Sequence, residues 1–280
     1  MKLKFNVESG CELASELCRK LPGVSREKIK NQIKRGEVRV NGTKTQSDKP
    51  LYAGDIVEIF LPEKFAPSEI PIVYSDEFIV AVDKPPYTES EVQVPELVKN
   101  KTGRVVKAVH RLDTNTTGVL LTASCEESYL SLIEAFKNGQ ITKTYYARVF
   151  GCPEKREDTL KAYLEKDARS SVCKVYGEYK RGAKEIITEY KVVLGGAQSV
   201  LMLKPVTGRT HQLRAHLAFA GFPIVGDGKY GNVASNRAAG AKIQKLRATQ
   251  IQFGKLSAPL EYLSGKKISV PLGEDFADCK

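Results

Sequence analysis

Leu13, Leu17 and Leu21 recur at i, i+4 and i+8, a spacing that lines up one face of a helix. Pro22-Gly23 ends that helix. Ser25 can cap the next one, with Glu27 in its first turn. Ile29 and Ile33 supply the apolar stripe of this second helix, and Arg26, Lys28, Lys30, Lys34 and Arg35 decorate its other faces. Gly36 is a natural C-terminal stop. Val38 and Val40 then alternate as in a half-buried strand, Asn41-Gly42 is a strong turn signal, and a second turn at Gly54-Asp55 leads into an apolar strand over residues 56–61. Residues 1–62 therefore read as a small α+β module.

Pro62, Pro67 and Pro71 punctuate the next stretch, so residues 63–71 read as a semi-rigid linker and residues 72–280 as the larger unit. A hairpin is predicted over residues 72–74 and 78–83, around Ser75-Asp76-Glu77. Lys84-Pro85-Pro86 forces an extended exit from it. Residues 88–107 are polar and poorly patterned, suggesting loop or a short helix. Strands are predicted at 119–122, 144–150, 186–194 and 200–205, and helices at 128–136 and 210–220. The class implied is α+β, a mixed, mostly antiparallel sheet with a few helices.

Composition changes this picture in one respect. In 280 residues, 41% hydrophobic, Lys plus Arg total 44 against 33 Asp plus Glu, a formal net charge of +11. The apolar share supports a real core, and the basic surplus fits a polyanionic partner. No apolar run of membrane-spanning length occurs, and the N-terminal residues have no apolar signal core, so a cytoplasmic, non-membrane protein is expected. The six cysteines are scattered without a Cys-x-x-Cys pair, which favours reduced thiols over zinc or disulfides.

Candidate chemistry concentrates in two stretches. His110-Arg111-Leu112-Asp113-Thr114-Asn115-Thr116-Thr117-Gly118 places a carboxylate in a polar loop against the apolar run Val119-Leu120-Leu121. Gly208-Arg209-Thr210-His211-Gln212-Leu213-Arg214-Ala215-His216-Leu217 supplies guanidinium groups that can pair with it, from Arg214 or from Arg209. In Lys143-Thr144-Tyr145-Tyr146-Ala147, strand alternation puts Tyr145 and Ala147 on one face. His211 and His216 are five apart and do not share a helical face, so no metal site is expected. Gly226-Asp227-Gly228-Lys229-Tyr230-Gly231 lacks the ending and spacing of a phosphate loop and reads as a structural turn.

Together these stretches resemble the RluA-type pseudouridine synthases, which isomerise uridine in RNA. The resemblance rests on His-Arg-Leu-Asp-x-x-Thr-x-Gly, Lys-x-Tyr-x-Ala, Gln-Leu-Arg and the Gly-x-Pro-Ile-Val-Gly-Asp run at residues 221–227. It implies that Asp113 is the nucleophile, Arg214 its paired arginine and Tyr145 the residue stacked on the target uracil. Arg111 would occupy the space left by an extruded base, and Lys84 would lie in a turn near the active cleft and contact RNA. The sequence departs from the family at Asp83, where Asn is usual, and at Thr117, where Ser is usual. The N-terminal pattern, carried by Ser25-Arg26, Ile33, Gly36, Val38, Val40, Asn41-Gly42 and Gly54-Asp55, resembles the RNA-binding module of ribosomal protein S-four, which makes Arg26, Lys30, Lys34 and Arg35 candidate RNA contacts. The expectation is a monomeric, cofactor-free and metal-free enzyme. Ribosomal RNA is the first choice of substrate and transfer RNA the alternative. The Asp can attack C1′ or remove a ribose proton to give a glycal, and the sequence leaves both routes open. A non-catalytic RNA-binding factor on the same scaffold is the contrasting reading. An RNA methyltransferase would need a glycine-rich loop after a first strand, and none is present.

Overall fold

Each stripe read above is met by a partner in the computed structural model, which describes residues 2–21, 24, 26–61, 70–167 and 172–277. Pro22-Gly23, Ser25, residues 62–69 of the linker region and Cys279 lie outside the described residues. Strands β1 (Lys2–Asn6) and β2 (Cys11–Glu12) precede helices α1 (Leu13–Lys20) and α2 (Arg26–Lys34). After them come β3 (Val38–Val40), β4 (Thr43–Thr45), β5 (Pro50–Leu51) and β6 (Ile56–Phe60). Leu13, Leu17 and Leu21 are fully buried against Ile29, Ile33, Val38, Val40, Val57 and Ile59, so the first 61 residues close a hydrophobic core of their own. Their main sheet runs β1-β6-β3-β4, all antiparallel. Asn41 and Gly42 turn from β3 to β4 with φ of 52° and 82°, the left-handed pair such a tight turn requires. The Asn41 side chain then ties the two predicted turns together. It donates to Asp55 Oδ1 and accepts the N–H of Ile56, both at 2.8 Å.

The second sheet holds the larger core. Its elements are β7 (Ile72–Ser75), β8 (Ile79–Lys84), α3 (Gln93–Thr102), β9 (Lys107–Ala108), β10 (Thr117–Ala123) and α4 (Glu126–Lys137). They continue with β11 (Ile141–Phe150), β12 (Glu157–Lys166), β13 (Cys173–Tyr176), β14 (Lys184–Leu194) and β15 (Gln198–Pro205). The last are α5 (Gln212–Phe219), α6 (Val233–Ala238), β16 (Leu246–Phe253) and β17 (Lys267–Ser269). The strand order is β13-β12-β14-β15-β11-β16-β10-β8-β7, with β9 attached to β10 and β17 to β16. Among the paired strands of the described residues, only β10 and β16 run parallel. The fold is thus α+β with a mostly antiparallel sheet. Ile79, Val80, Ala81 and Val82 are all fully buried, as in a strand covered on both faces. Along β14, Ile186, Thr188, Tyr190 and Val192 face inward while their neighbours face out.

Several elements go beyond the sequence reading. Residues 93–102 form a full helix, with Val94, Leu97 and Val98 buried and Gly103 closing it at φ 74°. Strands β12 and β13 extend the sheet past β14. Strand β16 fills the centre of the sheet, between β11 and β10.

The parallel contact is also the tightest point of the sheet. Gly118 on β10 lies opposite Ala248 on β16 with φ 110°, and a Cβ there would stand 2.0 Å from the Ala248 carbonyl oxygen. The obstacle is backbone, so no side chain can move aside. Gly118→Ala is expected to cost on the order of 3 kcal/mol through overpacking and strain. That corresponds to a melting temperature lower by roughly 6–12 °C. An unchanged thermal melt would mean the two strands part freely at this position.

Candidate active site

Asp113 lies in the loop between β9 and β10, five residues before the Gly118 crossing. The loop is pinned from below by the segment that leaves β8. Ser90 Oγ donates to the Leu112 carbonyl at 2.9 Å and accepts the Leu112 N–H at 3.0 Å. The Thr88 N–H donates to the Thr114 carbonyl at 3.2 Å. Lys84 completes the clamp, donating to the carbonyls of Pro85 (3.0 Å), Thr88 (2.9 Å) and Thr114 (3.1 Å). Three acceptors match the three protons of an ammonium. Burial pushes the Lys84 pKa down to about 7, against the pull of the Asp113 charge. The expectation that Lys84 contacts RNA is therefore corrected: the side chain is fully buried and all its donors are used. Its neighbour Asp83 accepts from Arg247 of β16 at 2.6 Å, which gives the unusual carboxylate at that position an ionic partner.

Arg214 reaches the Asp113 loop from α5. Its Nη1 donates to Asp113 Oδ2 at 2.9 Å, while Nε and Nη2 grip Asp227 at 2.7 and 2.9 Å in a two-pronged bond. Asp227 also accepts the N–H groups of Lys229 (2.8 Å) and Tyr230 (3.1 Å). The Arg214 guanidinium lies over the Tyr230 ring, 5.2 Å from its centroid. Burial works against both charges. In Arg214 it is outweighed by the bonds and charge of Asp227, then of Asp113, so its pKa rises. In Asp227 it is outweighed by Arg214 and the two backbone donors, so the carboxyl is held below its ordinary value. Arg209, the competing arginine, is exposed and makes no ion pair with Asp113. From sequence, Asp227 reads only as part of a structural turn. It is such a turn, and it also orients the arginine. The one signal for this is an acid in an otherwise glycine-rich run.

An open cleft of about 130 Å³ lies above this pair, walled by Arg111, Asp113, Tyr145, His211, Arg214 and Leu246 among others. Tyr145 comes from β11, where alternation presents it and Ala147 to the same side. Burial and then the Asp113 charge raise its pKa, so it is a neutral phenol at neutral pH. Arg111 is more than half exposed and its contact with Glu91 is 3.7 Å long, an interaction worth little in solvent. The guanidinium is thus free to move. His110, two residues before Leu112, is structural. Its Nε2 accepts the Leu121 N–H at 3.0 Å and its ring packs on Phe136, and burial holds its pKa well below the ordinary value. His216 pairs with Thr188 Oγ at 3.0 Å, and burial lowers its pKa to about 4.

Gln212 is a second residue the sequence does not single out. Its amide nitrogen donates to Ile187 O and Thr188 Oγ, and its oxygen accepts from Thr207 Oγ and the Arg209 N–H. One side chain thus fastens the rim loop of the cleft to the sheet. On α2, Arg26, Lys30 and Lys34 are exposed, as is Arg35 just beyond it. Among the described residues, no group of three or more His, Cys, Asp or Glu side chains is arranged to hold a metal, and no helix is long and apolar enough to cross a membrane.

Comparison with known proteins places this site in context. A family model described as RNA pseudouridylate synthase matches residues 78–219, which include the Asp113, Tyr145 and Arg214 stretches. The chain is 31% identical over 263 residues to a ribosomal large subunit pseudouridine synthase C of Rickettsia felis, covering 83% of this chain and 85% of the relative. It is likewise 31% identical over 236 residues to a ribosomal large subunit pseudouridine synthase D of Borreliella burgdorferi, covering 73% and 72%. Among solved structures it is similar to human RNA pseudouridylate synthase domain containing 1. The TM-score is 0.62 at 26% identity, over 72% of this chain and 83% of that one.

Proposed function

Because the chain belongs to the RNA pseudouridylate synthase family, and so is an isomerase that turns uridine in RNA into pseudouridine, we propose that its substrate is ribosomal RNA and that Asp113 is the nucleophile. The observation that carries the assignment is the 2.9 Å bond from Asp113 to Arg214, an arginine itself locked by Asp227, at the base of the cleft walled by Tyr145. The names of the relatives and the resemblance of residues 1–62 to an S-four-type module support the choice of ribosomal RNA.

The reaction breaks the bond from C1′ to N1, turns the uracil, joins C5 to C1′, and moves a proton from C5 to solvent while N1 gains one. Nothing is oxidised or reduced overall, so no redox carrier, metal or nucleotide energy is called for. Asp113 either bonds to C1′ or removes a ribose proton. Both routes use the carboxylate, to which Arg214 Nη1 donates at 2.9 Å. The target base must first leave its stack at a cost of a few kcal/mol, and Arg111, mobile and beside the nucleophile, fills the vacated space. Tyr145 supports the flipped base by stacking, worth roughly 1–3 kcal/mol. As a base for the C5 proton it is handicapped, because burial and then the Asp113 charge raise its pKa, and that charge is present again once C5 has displaced Asp113 from C1′.

The test is tritium release from RNA labelled at uridine C5, prepared from cells lacking the enzyme and fractionated by size. Release from the large ribosomal RNA is the expected result. Release from transfer RNA alone would overturn the substrate, and release from neither would overturn the reaction. We assign the exposed cations of α2 to phosphate contact. Changing Arg26, Lys30, Lys34 and Arg35 together to Gln should flatten the plot of log affinity against log salt by about three, at roughly 0.7–0.9 for each phosphate no longer neutralised. Filter binding across a salt series measures this, and an unchanged slope would remove α2 from the RNA surface.

A further inference from the structure

His211 has a backbone conformation uncommon for any residue other than glycine. It sits at φ 56° and ψ 15°, in the left-handed region, immediately before α5. Among the described non-glycine residues only Asn41, Tyr87 and His211 have positive φ, and Asn41 has the ready explanation of a tight turn. A side chain with a Cβ enters this region at an energetic cost, and such residues cluster where a site needs them.

Tyr230 holds His211 there. The two rings meet edge to face with centroids 5.6 Å apart, and His211 Nδ1 is 2.8 Å from the Tyr230 hydroxyl. The Tyr230 oxygen already accepts the Cys173 N–H at 2.7 Å. With the Tyr230 proton assigned to Nδ1, the ring proton of His211 lies on Nε2. Burial depresses the His211 pKa, with Asp113 pulling it partly back, so the ring is neutral at neutral pH and offers a single donor. That Nε2 has no protein acceptor among the described residues, and His211 lines the same cleft as Asp113, Tyr145 and Arg214. The result is one proton, on one atom of a ring fixed from behind, left without a partner at the reaction site.

The isomerisation itself indicates what that proton meets. The uracil has to detach and turn, so a strong fixed contact to the base would oppose the second half of the reaction. The ribose and its phosphate have to stay, because C1′ must be presented first to Asp113 and then to C5. Asp113, which must meet C1′, and His211 wall the same cleft. Resting on the isomerase reading above, we propose that His211 donates its Nε2 proton to an acceptor oxygen of the target nucleotide's ribose-phosphate and holds the sugar against Asp113 while the base turns.

Two substitutions separate this role from packing. His211→Asn keeps a residue type at ease with left-handed φ and leaves its side-chain oxygen near the Nδ1 position to accept from Tyr230, but it has nothing at Nε2. His211→Gln reaches the Nε2 position with an amide N–H. With C5-tritiated total RNA from cells lacking the enzyme, His211→Asn is expected to lose about tenfold or more in kcat/KM, mainly through KM, with its melting temperature little changed. His211→Gln should recover most of that loss. Wild-type kcat/KM in His211→Asn would overturn the proposal, as would an equal fall in both variants accompanied by lower melting temperatures. RNA dissociation constants measured alongside keep the two readings apart. A wild-type protein that binds RNA without releasing tritium removes the isomerase reading. The Nε2 contact then stands or falls on whether His211→Asn binds more weakly than His211→Gln.

Discussion

Asp113→Asn is expected to lower tritium release by about four orders of magnitude or more, the scale seen when a nucleophile is removed from a cooperating set. The amide has nearly the shape of the carboxylate and can still accept from Arg214 Nη1. It can neither bond to C1′ nor take a ribose proton. The fold should survive, because Arg214 keeps its two-pronged bond to Asp227 and Asp113 is only at the edge of the buried pair, with 16% of its side chain exposed against none for Asp227. RNA affinity should stay within about twofold, since one charge changes on a protein of net +11 whose binding is spread over many phosphate contacts. Loss of turnover with a normal melt and normal binding is thus the expected pattern. Turnover at anything near the wild-type rate would end the nucleophile assignment while leaving the enzyme class untouched.

How far the sequence reaches depends on how local the cause is. The Leu13, Leu17 and Leu21 stripe and the Asn41-Gly42 turn are set by residues a few positions apart, and both are legible. The central strand β16 is harder, for a physical reason. Its inward residues are Leu246 and Ala248, then Ile251 and Phe253, and the register slips opposite Thr144/Tyr145 of β11. That irregularity shifts the alternation by one position, so no single period of two runs through the strand. Helix α3 has a usable signal in Val94, Leu97, Val98 and Gly103, diluted by lysines and a proline. Leu160, Ala162 and Leu164 likewise carry the period of β12, but with an alanine in the middle of the stripe.

The site divides the same way. Asp113 and Arg214 are 101 residues apart, and no local pattern can pair them. The resemblance to a known family supplies the pairing, and geometry accompanies it. Lys84 misleads because a lysine is almost never fully buried unless its protons are all taken. The three carbonyls that take them come from segments as distant as Thr114. Asp83 and Arg247 lie 164 residues apart, so the departure from the family's usual Asn has its answer on a strand the sequence does not reveal.

Asp227→Asn carries the second large expectation, and it reports on how the site is built rather than on the chemistry itself. Asp227 has no exposed side-chain surface and neutralises an arginine that is itself only 7% exposed. Breaking a buried ion pair from one side costs about 3–5 kcal/mol, because the remaining charge stays desolvated without its partner. On a chain of this size that is a fall of roughly 6–20 °C in melting temperature. The sign of the pH dependence comes from the same pair. The Asp227 pKa is held below its unfolded value of 3.8, so its stabilisation is fully present above that value and is lost as pH falls through the lower, folded one. The gap between wild type and Asp227→Asn should therefore be flat from neutral pH down to that value and narrow only below it. Turnover should drop as well, by about 100-fold. With one prong and the opposing charge gone, the guanidinium is held less firmly, and a shift on the order of 1 Å in the group that places the nucleophile is enough for such a loss. A variant with normal stability and normal rate would mean that Asp113 alone orients Arg214. A variant that melts early but turns over normally at low temperature would confine Asp227 to the fold.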